Sequence, residues 1–179
     1  SNWDAGQMRE ALALAEGRGR GRLESVQPIY NLVDRRIEED LLPLCGDHNL
    51  GVITYSPLGA GFLTGKYRRG GPVPEGTRFD VIPGHQQIYF TEHGFRVMEA
   101  LRRTASETGR TMAQLAMSWS VRRRGVTSVL IGARKTSHVD QAFDALEGPF
   151  PAELSELLDQ LSEASEVAPG ETRGQEGAP

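Results

Sequence analysis

The sequence contains a single cysteine, Cys45, so the chain has no second thiol with which to form an internal disulfide. It has no apolar run near the roughly 18 residues that a membrane-spanning helix requires, and it does not open with a charged-then-apolar leader. Acidic residues outnumber Lys and Arg by 24 to 20, a balance that excludes the strongly basic class of nucleic-acid-binding proteins. These absences predict a cytoplasmic protein that binds neither nucleic acid nor a membrane.

Several short motifs that mark well-known enzyme classes are also missing. There is no GxxxxGKS/T loop, no GxGxxG that opens a helix, and neither GxSxG nor HExxH. The histidines do not have the spacing of metal ligands and are expected at the surface: His48, His85, His93 and His138. The sequence therefore excludes a P-loop protein, a Rossmann dinucleotide fold and the common hydrolases, and it predicts no metal site.

What is present is a set of apolar strands that alternate with amphipathic helices. Strands are predicted at 26–31, 50–55 and 126–133. Apolar residues recur at helical spacing over six further segments: 8–15, 37–45, 92–107, 112–119, 139–146 and 154–161. This alternation predicts one α/β domain, with a parallel sheet wrapped by helices and polar residues gathered where the strands end.

Local signals indicate where some of the helices begin or break. Asp4 followed by Gln7, and Thr111 followed by Gln114, have the spacing of capping boxes. Pro43 lies inside the second helical pattern, where its missing N–H is expected to divide the helix into two pieces.

Two segments carry no helix or strand pattern. The first, residues 56–91, is a long loop, and loops of this length in compact domains are usually functional. Within it, the aromatic stretch 79–91 is expected to contribute a wall of a substrate pocket. The second is rich in Gly, Pro and Glu. We therefore expect a folded domain over 1–165 and a disordered tail over 166–179.

The segment Gly132-Ala133-Arg134-Lys135-Thr136-Ser137 joins a predicted strand to a helix. Glycine allows close backbone approach, a helix start offers free N–H groups to an anion, and Arg134 can bind a phosphate through two N–H groups. A plain strand-to-helix turn with solvated cations explains the same residues. Anion binding and a simple turn both remain open from this segment alone.

The segment 51–67, GVITYSPLGAGFLTGKY, begins as a buried strand, and Tyr55 at the strand end is followed by three glycines within seven residues and by Lys66. Tyr55 could stack on a flat ring, the glycines would let the backbone approach a ligand, and Lys66 could meet a pyrophosphate as a point charge. The alternative is a flexible glycine-rich connection with a solvated lysine.

Five segments together resemble the C-terminal half of an aldo-keto reductase. In chain order they are SNW at 1–3, VQPIYNLVDR at 26–35, GVITYSPLGAGFLTGKY at 51–67, PEGTR at 74–78 and SVLIGARKTSHV at 128–139. The resemblance covers about residues 1–163, and it is to the bacterial and potassium-channel-β-like branch of the family. It implies a (β/α)8 TIM barrel of which only about the last three strands and their helices are present.

The resemblance also assigns cofactor-binding roles, with NADPH/NADP lying across the strand ends. It assigns the nicotinamide amide to Ser1, Asn2 and Gln27, and it implies that Tyr55 stacks on the ring. It assigns the pyrophosphate to six residues: Ser56, Pro57, Leu58, Gly59, Ala60 and Lys66. It also implies that Arg78 adds a positive charge beside them. It assigns the adenosine end to Gly132 and Arg134, with Arg134 a candidate for the 2′-phosphate.

Two departures from the family pattern qualify these assignments. Near the adenine, where relatives carry Gln and then Glu-Asn, this sequence has His138, Gln141 and Ala142, and only the first two offer hydrogen-bonding groups. The family's catalytic Asp, Tyr, Lys and His come from the first half of the barrel, so the resemblance implies no catalytic residue in this chain. Tyr30 and Tyr67 belong to other motifs and are not taken as the acid.

The resemblance therefore implies an NADPH-dependent oxidoreductase that reduces a small aldehyde or ketone, with this chain supplying the cofactor cleft and inactive alone. The alternative is a non-catalytic nucleotide-binding or interaction protein with the same fold. Three parallel strands cannot close a barrel, and their edges would expose unpaired N–H and C=O groups. We therefore expect the chain alone to be marginally stable or to self-associate through its open edges.

Overall fold

A computed structural model describes residues 1–163, and they contain a three-stranded parallel sheet in the order β1-β2-β3. The strands are β1 (Ser25–Val26), β2 (Gly51–Tyr55) and β3 (Ser128–Leu130). Val26 pairs with Val52, and Tyr55 pairs with Leu130. The predicted α/β class with a parallel sheet is confirmed, whereas the predicted tail at 166–179 lies outside the described residues.

The outer strands are shorter than the sequence predicts, and Pro28 accounts for the first. Proline has no N–H to donate to a neighbouring strand, so β1 ends at Val26. Pairing resumes beyond it at one isolated bridge between Ile29 and Tyr55. The Tyr55 N–H donates to the Pro28 carbonyl at 3.1 Å, so the polypeptide still follows β2 to its end.

Helices of very different length surround the sheet. The α-helices are α1 (Ala5–Gly17), α2 (Leu41–Asp47), α3 (Arg78–Val81), α4 (Gln86–Tyr89), α5 (Glu92–Thr108), α6 (Met112–Val121), α7 (Thr136–Glu147) and α8 (Ala152–Ser162). Short 3₁₀ turns occur at Arg36–Glu38, Phe62–Thr64 and Pro83–His85. Within residues 1–163 no helix is long and apolar enough to cross a bilayer.

The predicted capping boxes are present, and the predicted helix break is displaced. The Asp4 side chain accepts from the Gln7 N–H while the Gln7 side chain accepts from the Asp4 N–H, and Thr111 and Gln114 do the same. The second helical pattern is divided, but the break precedes Asp40. Pro43 lies in the first turn of α2, where no N–H is needed for an intrahelical bond.

The segment 56–91 is more ordered than the predicted loop, because its aromatic side chains bury one another. Phe62 is fully buried, and its ring centroid lies 5.2 Å from Phe95, 5.6 Å from Phe90 and 5.8 Å from Tyr89. Tyr67 and Phe79 pack on the same group at 5.1 Å from each other. Their irregular spacing hid this packing from a search for helix or strand periodicity. We call these six residues the aromatic cluster.

The aromatic cluster also presses directly on the backbone. A Cβ added at Gly59, which has a φ of +56°, would lie 2.8 Å from the Tyr89 ring. A Cβ at Gly94 would lie 2.0 Å from the Tyr89 carbonyl oxygen. Close approach at these two points lets the loop and α5 meet around one tyrosine, so the path of the loop after β2 depends on this packing.

Asp159 anchors α8 to the rest of the chain. Its carboxylate accepts from Trp119 Nε1 at 2.8 Å and from Arg123 Nη1 at 2.6 Å and 2.7 Å. The Asp159 carbonyl accepts from Arg35 Nη1 at 2.9 Å, and the guanidinium groups of Arg35 and Arg123 lie over the Trp119 ring. Glu38 pairs with Arg35, so this network joins the 3₁₀ turn at 36–38 to α8.

We expect Asp159→Ala to lower the free energy of unfolding by about 2–3 kcal/mol, because it leaves the Trp119 N–H without an acceptor and removes the carboxylate that Arg123 Nη1 contacts. Urea unfolding followed by tryptophan fluorescence measures the change. The matched control is Glu156→Ala, a change of an exposed residue on the same helix. Equal midpoints for Asp159→Ala and the unchanged chain would contradict the anchoring role.

Both outer strands of the sheet pair with β2 only, within the residues described. Beside β3, large apolar side chains are exposed: Leu130 by 44%, Ile131 by 42% and Phe143 of α7 by 59%. An open strand edge beside apolar surface favours association with another chain.

Self-association therefore stays a prediction, and we expect sedimentation velocity to show species larger than a monomer whose amount rises with concentration. Leu130→Lys should reduce it, because a charged side chain at the edge opposes edge-to-edge pairing. Glu107→Lys, on an exposed position of α5, is the control. A single monomeric species that melts cooperatively would contradict the prediction.

Candidate nucleotide-binding site

Four residues assigned to the nicotinamide end lie together at the carboxyl ends of β1 and β2. The Asn2 N–H donates to the Gln27 carbonyl at 3.0 Å, and the Tyr55 hydroxyl donates to Asn2 Oδ1 at 2.9 Å. The Ser1 hydroxyl donates to the Gln27 carbonyl at 3.0 Å, with Gln27 Oε1 at 3.3 Å. The Asn2 bond restrains the Tyr55 side chain, whose ring remains partly exposed.

The chain leaves β2 in a series of left-handed turns. Positive φ values occur at Ser56 (58°), Ala60 (54°) and Gly61 (87°), a region that L-residues visit rarely. Turn hydrogen bonds stabilise this path, with the Gly59 N–H donating to Ser56 and the Gly61 N–H to Leu58. We call residues 56–66 the belt. Within it Pro57 is buried and Leu58 is partly buried, so one side of the belt is fastened to the core.

Lys66 is exposed to solvent, and its side chain also folds back over Gly61 of the belt. A Cβ added at Gly61 would lie 2.9 Å from Lys66 Nζ, so the ammonium group rests where only glycine leaves room. Burial, and next the positive charge of Arg134, lower the pKa of Lys66. Over residues 1–163, neither Lys66 nor Arg134 forms an ion pair with an acidic side chain. The charge of Arg134 therefore acts on Lys66, and neither cation has an acidic partner among the described residues.

Arg134 lies where β3 leads into α7. Its Nη1 is 3.5 Å from the Gly76 carbonyl, which links it to the segment 74–78. Its own N–H lies 3.3 Å from His138 Nδ1, so His138 is engaged with the backbone of this turn. Lys135 occupies the N-cap position of α7, but its side chain makes no hydrogen bond to the first N–H groups of the helix. The start of α7, two residues after Arg134, is thus without a side-chain cap.

Three residues assigned by the resemblance are exposed and less constrained. Arg78 begins α3 with its side chain in solvent, and Gln141 is exposed on α7. A Cβ added at Gly132 would meet no atom within 4 Å, so open space adjoins that backbone. These positions can be reached by a ligand, and the protein's own packing does not fix their side chains.

A cavity of about 520 Å³ opens beside Tyr55. Its lining comes from the start of the chain, from 28–41 and from the long loop, and includes Asn2, Trp3, Ile29, Arg36, His85 and Ile88. The expectation that 79–91 supplies a wall agrees with His85 and Ile88, whereas Phe79 and Tyr89 are buried inside the aromatic cluster.

None of the buried tyrosines reaches this cavity. The Tyr30 hydroxyl donates to Glu38, and burial together with that contact raises the pKa of Tyr30 far above its usual value. The Tyr89 hydroxyl accepts from Asn31 at 3.2 Å, and burial raises the pKa of Tyr89 as well. Tyr67 is buried with no hydrogen-bond partner for its hydroxyl. These three phenols are unsuited to proton donation at the cavity.

Sequence reasoning missed several residues of the site region. Trp3 lies in the SNW motif but has no role assigned by the sequence, and only the tertiary structure brings it to the cavity. The sequence pattern places Asn31 only in a strand, yet its side chain donates to the Ser56 carbonyl at 3.0 Å and so helps hold the start of the belt. The spacing of Asp34 and Arg36, two residues apart, is a local signal for the ion pair that they form.

Comparison with known proteins identifies the family. The sequence model described as "Aldo/keto reductase family" matches residues 1–163. A probable voltage-gated potassium channel subunit beta of Oryza sativa subsp. japonica is 33% identical over 96% of this chain and 53% of its own length. An L-glyceraldehyde 3-phosphate reductase of Escherichia coli O157:H7 is 34% identical over 75% of this chain and 40% of its own length.

A further relative, the NADH-specific methylglyoxal reductase of Escherichia coli (strain K12), is 31% identical over 93% of this chain and 48% of its own length. The chain thus spans about half the length of the curated relatives it matches. The family match covers all of the described residues and includes both the belt and the β3–α7 turn. The chain therefore belongs to the aldo-keto reductase family.

Proposed function

We propose that this chain forms the nucleotide cleft of an NADPH-dependent aldo-keto reductase that reduces a small aldehyde or ketone to an alcohol. The observation that carries the proposal is the position of Lys66 Nζ over Gly61 of the belt, where the charge of Arg134 lowers the pKa of Lys66 and no acidic side chain of residues 1–163 pairs with either cation. Bringing two cations together costs free energy in the free protein. Bound NADPH would offset that cost, with its pyrophosphate beside Lys66 and its 2′-phosphate beside Arg134.

The residues present fit an extended dinucleotide. Tyr55, restrained by Asn2, offers a ring face at one end, and Gln27 and Ser1 offer amide and hydroxyl groups beside it. The belt and Lys66 lie next, and the uncapped start of α7 with Arg134 lies beyond. Helix starts and Arg side chains are both suited to phosphate groups. Arg134 is our candidate for the 2′-phosphate that distinguishes NADPH from NADH.

When bound, NADPH supplies a hydride to the carbonyl carbon, and a proton must reach the carbonyl oxygen. Tyr30, Tyr67 and Tyr89 are buried away from the cavity, and the Tyr55 hydroxyl already donates to Asn2. We therefore assign the proton donor to a part of the barrel that this chain does not contain. The half-length match to the relatives supports this assignment, as does an open three-stranded sheet where a barrel of the family has eight strands.

A second candidate is a nucleotide-binding subunit that associates with another protein without turning over a substrate. Relatives named as potassium channel beta subunits favour it. The two candidates share the nucleotide site and differ in whether a carbonyl compound is reduced. Oxidation of NADPH that depends on an added aldehyde separates them. It is measured on the whole protein as the loss of absorbance by the reduced nicotinamide at about 340 nm.

We expect Arg134→Ala to weaken NADPH binding roughly tenfold or more and to leave NADH binding nearly unchanged, because a charge-assisted bond to a phosphate contributes about 1.5–3 kcal/mol. Titration of NADPH and NADH fluorescence measures both dissociation constants. Arg103→Ala, at an exposed position of α5, is the charge-matched control. An equal loss of affinity for both nucleotides would remove Arg134 from the 2′-phosphate role.

Lys66 makes a prediction about pH. Burial and the charge of Arg134 lower its pKa in the free protein, and a bound phosphate would raise that pKa, so at alkaline pH binding takes up a proton. NADPH affinity is therefore expected to be full below the free-protein pKa of Lys66 and to fall, by roughly tenfold, as pH rises through it. Titrations between about pH 7 and pH 10.5 measure the profile.

The control for this profile is Lys66→Arg, because a guanidinium keeps its charge throughout that range. We expect this variant to bind NADPH with an affinity that changes little over the same titrations. If the alkaline loss persisted unchanged in Lys66→Arg, the titrating group would be another residue, and Lys66 would lose its assigned contact with the pyrophosphate.

A further inference from the structure

The cavity beside Tyr55 has an apolar lining on several sides. Trp3 precedes α1, Ile29 follows β1, Ile37 lies in the 3₁₀ turn at 36–38, and Ile88 comes from α4. Trp3 is 43% exposed, so part of this wall remains in solvent. A lining of this kind suits a small compound that carries few polar groups beyond its reacting one.

The charges around the cavity are predominantly acidic. Asp4, Glu39 and Asp40 contribute three carboxylates to the lining. The one Arg or Lys among the lining residues, Arg36, is already paired, since its Nε donates to Asp34 Oδ1 at 2.7 Å. Asp34 itself is 3% exposed at its side chain and also belongs to the lining. The paired charges cancel, and three acidic charges remain without a cation among the lining residues.

The belt has the opposite charge. Lys66 and Arg134 carry two positive charges there, and neither of them lines the cavity. Tyr55 is shared, because it lines the cavity and belongs to the nicotinamide end of the nucleotide site. The two neighbouring regions therefore differ in the sign of their charge, with the phosphate-binding cations on one side and the carboxylates on the other.

We infer that the cavity admits uncharged or positively charged small carbonyl compounds and discriminates against those that carry a carboxylate or a phosphate. This inference rests on the proposed function, because only a nucleotide on Tyr55 makes the cavity the place where a carbonyl is reduced. The apolar lining supplies contact area. The carboxylates supply selectivity, since they outnumber the single Arg or Lys of the lining, and their net negative charge would repel an anion that enters the cavity.

The size of the effect follows from Coulomb's law. Carboxylates in contact with solvent act through a high dielectric constant, and salt screens them further. Three such charges at roughly 8 Å then change the affinity for a singly charged compound by about threefold to tenfold. Selectivity of that size is measurable between compounds of the same shape.

Stable alcohols of the product class provide matched probes. Choline and 3,3-dimethylbutan-1-ol have the same shape and differ only by the positive charge, and 4-hydroxybutyrate carries a negative charge on a similar length. Saturation-transfer NMR on the full chain with NADP⁺ present measures their dissociation constants. We expect choline to bind as tightly as the neutral alcohol or tighter. We expect 4-hydroxybutyrate to bind about threefold to tenfold more weakly than the neutral alcohol, because the three carboxylates repel its charge.

A double variant tests the carboxylates directly. Glu39→Gln combined with Asp40→Asn keeps the side-chain shapes, and Asp40 makes no side-chain capping bond to α2 that the change would remove. We expect this variant to narrow the difference between choline and 4-hydroxybutyrate by about threefold or more, because two of the three carboxylate charges are then gone. Glu107→Gln, on an exposed position of α5, should leave the difference unchanged. Ile88→Trp, which fills the cavity, should weaken all three alcohols.

The outcomes separate this inference from the proposed function. If the chain binds NADPH but 4-hydroxybutyrate binds as well as the neutral alcohol, the charge selectivity is overturned and the nucleotide site stands. The same conclusion follows if Ile88→Trp leaves all three alcohols unaffected. If the alcohols show the expected order while NADPH does not bind, the cavity's selectivity stands and the nucleotide site falls. If the double variant fails to fold, Glu39→Gln alone gives the same comparison.

Discussion

Burial of Phe62 is the constraint on which the candidate nucleotide site depends. The belt that follows β2 has almost no regular structure, so the hydrogen bonds of a helix or sheet cannot hold its path. Phe62 lies within the belt and is fully buried among Phe90, Phe95 and Tyr89. Ring contacts of this kind contribute about 0.5–1.5 kcal/mol each beyond the area they bury, and several of them converge here on one side chain.

The consequences extend to both sides of the belt. On one side, Tyr89 presses so closely on Gly59 that no side chain would fit there without displacing the ring. On the other, the turns expose backbone beside Lys66, which rests over Gly61. A rigid apolar packing thus supports a surface that presents a cation and backbone groups outward. This is the general arrangement of binding sites that are preorganised on a packed core.

Charge is distributed unevenly over this surface. Where the chain needs ion pairs for stability, as around Asp159, cations and carboxylates are matched and lie against Trp119. At the belt, Lys66 is affected by the charge of Arg134, and neither of them has an acidic partner among the described residues. At the neighbouring cavity, three lining carboxylates are left over after Asp34 and Arg36 have formed an ion pair. Unmatched charge of opposite sign in two adjacent regions is a feature of ligand sites more than of structural networks.

Local interactions were predictable from sequence, and contacts between distant segments were not. The boxes at Asp4 and Thr111 depend on residues three positions apart, and the alternation of apolar runs was enough for a parallel α/β sheet. The shortening of β1 also had a local cause, in Pro28. The packing of 56–91 went unpredicted because aromatic residues far apart in sequence, such as Phe62 and Phe95, stabilise it through contacts that have no period.

The same division applies to the site. The sequence by itself determined the fold class, the family resemblance, the identity of the belt and the choice of Tyr55, Lys66 and Arg134 as candidates, because residue type and order carry that information. Only the tertiary structure decided that the charge of Arg134 acts on Lys66 and that Asn2 restrains Tyr55. It also decided that Trp3 and Ile88 line one cavity together with acidic residues. These facts depend on distances between segments far apart along the chain, and such distances are set by packing.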